Sequence, residues 1–156
     1  MLDLLGASGD PLARDHFNPG HFTVGAFVLA ESHILMIHHR RLDAWLEPGG
    51  HIDAEDHSLE TAAARELVEE TGVAGRLIDH GIFDVDVHAI PAAQGEPAHS
   101  HFNVGYLFVA DLVEPIAAPE VRATAWAPLD GVADLTRDRA ILRAAAKMQL
   151  LQGPGI

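Results

Sequence analysis

Residues 65–73 read RELVEETGV and bring Arg65, Glu66, Glu69 and Glu70 close together. If the segment is helical, an advance of about 100° per residue puts the three glutamates within an arc of roughly 100°. Leu59, Ala62, Ala63 and Val73 point into much the same arc, so the acids are expected on the inward face, whereas a solvated charge run lies opposite the apolar stripe. Carboxylates gathered beside a protein body repel one another and lose hydration, which is costly unless a cation sits among them. Oxygen-rich clusters of this kind suit hard divalent ions such as Mg2+ or Mn2+. Such ions bridge diphosphate oxygens, polarise phosphorus–oxygen bonds and acidify water. Arg65 lies one turn before Glu69, close enough to orient or partly neutralise it. Upstream, Gly49 and Gly50 are expected in a turn whose carbonyls approach the metal closely, because no Cβ stands in the way.

These residues resemble the signature of the Nudix hydrolases. Gly50 opens the motif, and Arg65, Glu66, Leu67, Glu69, Glu70, Gly72 and Val73 fill its later half in register. Two departures sit together. Asp56 stands for the family's first glutamate, and eight residues separate it from Arg65 where the family has one fewer. Asp56, Glu55 and His57 all remain candidates for that glutamate's role. The resemblance implies an α/β/α sandwich around a central mixed β-sheet, which hydrolyses a diphosphate linkage in a small nucleoside-diphosphate-linked or related molecule. It further implies that Glu66, Glu69 and Glu70, with a carbonyl of Gly49 or Gly50, hold Mg2+ or Mn2+, and that Arg65, Glu69 and Glu70 belong to the catalytic set. The general base in this family comes from the motif or from a loop near the final strand, where Glu120, and less so Glu114, lies. A homodimer is compatible with the resemblance. The alternative is a Nudix-like sensor that binds a nucleotide or sugar nucleotide without cleaving it, and the intact RELVEE argues against that.

The elements that must position these groups can be read around them. HFTVGAFVLA from His21 and HILMIHHRR from His33 are rich in strand formers and are separated by Glu31–Ser32, a hairpin. LDAWLEPGG reads as a short strand entering a turn. The helix should run from about Asp56 or His57 to Thr71, with Asp56, His57 or Ser58 as cap and Gly72 as stop. GRLIDHGIFDVDVHAI holds one or two strands and SHFNVGYLFVADLV a long one, with a Pro/Gly loop between them. A further short strand ends near Trp126. An amphipathic helix over 137–152 presents Ile141, Leu142, Ala145, Met148 and Leu150. Residues 1–18 read as a lead-in to one domain spanning 1–156.

Alternation places Asp86 with His88, and His99 with His101, on single faces of two strands. If those strands are neighbours, they form a polar wall suited to phosphate or to an additional metal such as zinc. His51 follows the glycines and faces either the crevice or the turn. Arg40 or Arg41, at a strand end, is placed to hold a substrate phosphate. Trp45, Phe83 and Tyr106 read as core in preference to base-stacking residues.

Ten Lys+Arg against 23 Asp+Glu give a formal charge of −13, which repels nucleic acid polymers and anionic membranes. A small diphosphate remains an acceptable partner, because bound divalent cations invert the local field. The chain has no cysteine, no leader with a basic start and apolar core, and no run of the roughly 18 apolar residues that span a bilayer. A cytoplasmic setting is expected.

Overall fold

The computed structural model describes residues 2–6, 8–78, 81–93 and 95–152. The chain begins with a short helix, α1 (Leu2–Leu5), whose Leu4 is buried. Four strands follow: β1 (Gly20–Ala30), β2 (His33–His39), β3 (Ala44–Leu46) and β4 (Gly49–His51). Helix α2 (Leu59–Thr71) leads to β5 (Arg76–Leu77), β6 (Asp84–Ile90), β7 (His99–Val109) and β8 (Val121–Pro128). A short helix, α3 (Val132–Leu135), and α4 (Arg139–Leu151) complete the order.

All eight strands belong to one mixed sheet. At its centre β1 runs parallel to β7, and every other pairing is antiparallel. β1 is buried along its whole length, because its alternate residues feed two cores. Val24, Ala26 and Val28 pack with Ala62, Ala63 and Leu67 of α2. Phe27 and Leu29 pack with Ile141, Ala144 and Met148 of α4. Helices thus cover both faces, which is why the central strands read as continuous apolar runs. Phe27 lays its ring over Gly105 of β7, where a Cβ would come within 2.3 Å of the ring.

Helix α2 starts at Leu59, slightly later than the expected Asp56 or His57, because the Ser58 side chain accepts from the Thr61 N–H and completes a capping box. It stops where Gly72 turns left-handed, at φ 66°, as expected. Helix α4 is shorter than 137–152, since Asp138 caps it by accepting from the N–H groups of Ala140 and Ile141. Leu150, expected on its apolar face, is exposed, and Ala140 and Ala144 are buried instead. Arg143 and Lys147 fasten α4 to the sheet through the buried Asp84 of β6, at 2.5 and 2.6 Å. Tyr106 is core, and Trp45 and Phe83 pack at the edge of the second core. No helix among the described residues is long and apolar enough to cross a membrane.

Candidate functional site

The Gly49–Gly50 pair forms strand β4, where a turn was expected. Gly50 pairs with Val24 and Gly49 with Gly25 of β1. The approach is so close that a Cβ on Gly49 would lie 2.3 Å from the Val24 carbonyl oxygen, which only glycine avoids. Beside it, a Cβ on Gly50 would meet the three carboxylate atoms of Glu66 at 2.6–2.8 Å. The bare backbone of β4 is therefore the wall against which the α2 acids rest.

Glu70 is buried, and its Oε2 accepts from the Gly49 N–H at 2.9 Å. Burial pushes its carboxyl up to about 8 against the pull of that hydrogen bond, and the charges of Glu66, Glu120 and Glu47 add to the rise. Glu66 is nearly as enclosed; burial raises its pKa too, and Arg65 partly opposes the shift. Glu69 differs from the inward placement expected of it. Its side chain is 55% exposed, because it lies along the helix surface to meet Arg65 Nη1 at 2.9 Å.

Arg65 organises this corner. Its guanidinium donates to both oxygens of Asp56 at 3.2 and 2.9 Å, to Glu66 at 3.0 Å and to the His51 carbonyl at 2.9 Å. Of the three candidates for the first glutamate of the motif, Asp56 is thus the one that reaches the arginine. The hydrogen bonds from Arg65 hold its carboxyl below the ordinary carboxylate range. The extra residue is absorbed in the loop before Ser58, leaving the helix register intact.

A cleft of about 360 Å3 opens on the β4 side, lined in part by His39, Arg41, Glu47, His51, His88 and His101. Arg41 faces it, whereas Arg40 turns away and donates to the carbonyls of Pro119 and Val121. Glu120 is exposed in the turn before β8, with its backbone carbonyl accepting from Arg40 N–H. Glu114 is exposed in the preceding loop. Glu47 was not singled out by sequence, since it follows β3 outside any motif. Its carboxylate accepts from Asn103 Nδ2 at 2.8 Å. Withdrawal from water pushes Glu47 up to about 7, against hydrogen bonds from its own backbone and from Asn103.

The histidines gather where β4, β1, β7 and β6 lie side by side. His101 pairs with His21 on one flank and His88 on the other, and their ring centres lie 4.8 and 5.4 Å from its own. His99 and His51 stand 5.2 and 5.3 Å from His101. Burial lowers the His51 pKa to about 4 and that of His101 to about 2, and the neighbouring cationic groups deepen both shifts. Sequence gives His21 no polar neighbour to mark it, since it heads an apolar strand.

Residues 19–147, most of the chain, match the model of the NUDIX domain. The chain belongs to the Nudix family. Among curated relatives of this Nudix chain, the probable DHNTP pyrophosphohydrolase of Lactococcus lactis subsp. cremoris (strain MG1363) is 30% identical over 112 residues, covering 69% of this chain and 64% of that protein. The putative hydrolase 111R of Invertebrate iridescent virus 3 is 43% identical over 61 residues, covering 39% of this chain and 36% of the viral protein. The chain thus spans about a third to just under two thirds of the length of the curated relatives it matches. A NUDIX family hydrolase from Clostridium perfringens superposes with a TM-score of 0.69 at 20% identity, over 84% of this chain and 97% of that one. The likeness shows that the mixed sheet with helices on both faces is the Nudix fold.

Proposed function

We propose that this Nudix chain catalyses metal-dependent hydrolysis of a diphosphate linkage in a small nucleoside-diphosphate-linked or related substrate. One observation carries the reading: Glu66 and Glu70 are withdrawn from solvent with too little positive charge around them. Arg65 is shared among Asp56, Glu66 and Glu69, and Glu70 has no cationic partner among the described residues. Buried carboxylates without a counterion are expensive. The donor set available there, Glu66 and Glu70 against the Gly49–Gly50 backbone with Glu69 on the adjoining helix surface, is all oxygen and fits Mg2+ or Mn2+. Glu66, Glu69 and Glu70, with a carbonyl of Gly49 or Gly50, would hold it. Bound there, such an ion would polarise a phosphorus–oxygen bond and neutralise charge on the departing phosphate.

The protein's own groups divide the remaining work. Arg65, tied to Asp56, orients Glu66 and Glu69. Glu47, with a pKa near neutrality and a place in the cleft, is suited to take a proton from the attacking water; Glu120, close enough to influence Glu70, is the other candidate base. Arg41, His51, His88 and His101 line the cleft as contacts for the substrate. The likeness to the probable pyrophosphohydrolase of Lactococcus lactis supports a pyrophosphate bond as the target class.

Phosphate release from dinucleotides, sugar nucleotides and nucleoside triphosphates with Mg2+ or Mn2+ tests the reading. Turnover of at least one class is expected, and Glu70→Gln should lower it by about 100-fold or more while the fold persists. Unchanged turnover in that variant overturns the assignment, and binding without turnover by the native chain favours the sensor.

A further inference from the structure

We propose that His21, His51 and His101 form a second metal site, distinct from the glutamates, that takes a nitrogen-preferring divalent ion such as Zn2+. The three imidazoles come from three strands of the sheet. β1 and β7 set His21 directly beside His101, and β4 brings in His51 by pairing with Thr23, two residues beyond His21. One ring nitrogen from each lies within 4.8 Å of the others. A point equidistant from three atoms at that limit is about 2.8 Å from each, so ring rotations of less than an ångström would reach the ~2.0–2.1 Å of a zinc–nitrogen bond.

The state of His21 is the second observation. Its Nδ1 lies 3.3 Å from the His16 carbonyl oxygen. A carbonyl only accepts, so Nδ1 carries the hydrogen and Nε2 presents a bare lone pair. That Nε2 is fully buried and has no hydrogen-bond partner among the described residues. An orphaned acceptor in a protein interior is rare and destabilising. The same arrangement, with the far ring nitrogen donating to a backbone carbonyl, is how metal-binding histidines are commonly oriented.

The chemistry of the donors separates this site from the acidic one. No carboxylate among the described residues hydrogen-bonds to any of the three rings. Phe17 packs edge-on against His21, their ring centres 6.3 Å apart. Neutral imidazoles in such surroundings suit zinc, copper or nickel and are poor hosts for magnesium. His51 and His101 line the cleft, whereas His21 lies beneath it. Three protein ligands therefore leave a fourth position open toward the cleft, where water or a phosphate oxygen of its occupant can bind.

The test uses the full chain, stripped with a chelator and titrated with Zn2+ in excess Mg2+ against a colorimetric indicator. Co2+ serves as a second probe, because its visible bands report four-coordinate nitrogen ligation. One equivalent of tightly held Zn2+ is expected, with Co2+ bands, in both the native chain and a Glu66→Gln/Glu70→Gln double variant. His51→Ala should weaken Zn2+ by about 100-fold or more, above the 10–100-fold that loss of a mere supporting partner causes. His101→Phe should do the same. If His101→Phe fails to fold, His51→Ala carries the test, since His51 is only part-buried. Absence of tight Zn2+ binding by the native chain overturns the proposal. So does binding that survives His51→Ala or disappears in the double glutamine variant.

Discussion

Gly50→Ala separates the proposed metal cradle from the fold. Gly50 lies outside the left-handed backbone region, so alanine adopts its conformation without strain. The added methyl would sit 2.6 Å from Glu66 Oε1, 2.7 Å from Cδ and 2.8 Å from Oε2. Restoring ordinary contact requires the carboxylate to retreat by roughly 0.8 Å. Because the obstacle is the end of a flexible side chain, the retreat is a rotamer adjustment worth about 0.5–1.5 kcal/mol. For a domain of this size that lowers the melting temperature by about 1–6 °C. The consequence for catalysis is larger: Mg2+ tolerates little departure from its ~2.0–2.1 Å octahedral geometry, and a misplacement near 1 Å costs on the order of 100-fold. Gly49→Ala is the contrasting variant. Its methyl would meet a backbone oxygen at 2.3 Å, so that β4 must part from β1 and the chain should melt markedly earlier. Thermal melting and phosphate release, measured on both variants, give the comparison. If Gly50→Ala kept native kcat/KM, Glu66 would not be acting from the place assigned to it.

Arg65→Met leaves Asp56 and Glu66 enclosed without their counterion, a loss of about 3–5 kcal/mol that should appear as a drop on the order of 10 °C in melting temperature; a change within error would show that these ion pairs contribute nothing net. In metal-free protein, stability should fall as pH rises from 6.5 to 8. Burial raises Glu47 to about 7 and Glu70 to about 8 from 4.5, so over that window the folded chain holds protons that the unfolded chain has released. Mg2+ should flatten the slope, and a level profile in chelator would refute it. Below pH 6.5 the part-buried His51 and His101 act in the opposite sense, because the unfolded chain takes up protons that these rings refuse. His51→Ala/His101→Phe should therefore lose less stability between pH 6.5 and 5 than the native chain, as read by thermal melting.

Local signals carried the sequence reading furthest where they were dense. Helix α2 was legible because its apolar spacing, a Ser58 cap and a Gly72 stop all agree within a short span. The long apolar runs of β1, β2 and β7 announced strands for the same reason. What escaped was decided by partners remote in the chain. Gly49–Gly50 carries the composition of a turn, and only the neighbouring β1 makes it a strand. Glu47 is a lone acid until Asn103 folds against it. His21 acquires meaning from His101 and His51, across strand pairings that periodicity cannot reveal. Asp56 could be told from Glu55 and His57 only by which of them reaches Arg65.

The ring of Phe27 resting on Gly105 has a consequence for how the sheet assembles. A strand greasy on both faces lacks the inside–outside rule that normally polices alignment. β1 could slide along β7 by two residues and still bury hydrocarbon over most of its length, losing the hydrogen bond from Thr23 to Asn103. Such a slide would bring Asn103 or Leu107, each with a full side chain, beneath the ring in place of the one residue that has none. The notch at Gly105 thus acts as a detent on a mostly apolar rail, and His21 faces His101 only when it engages.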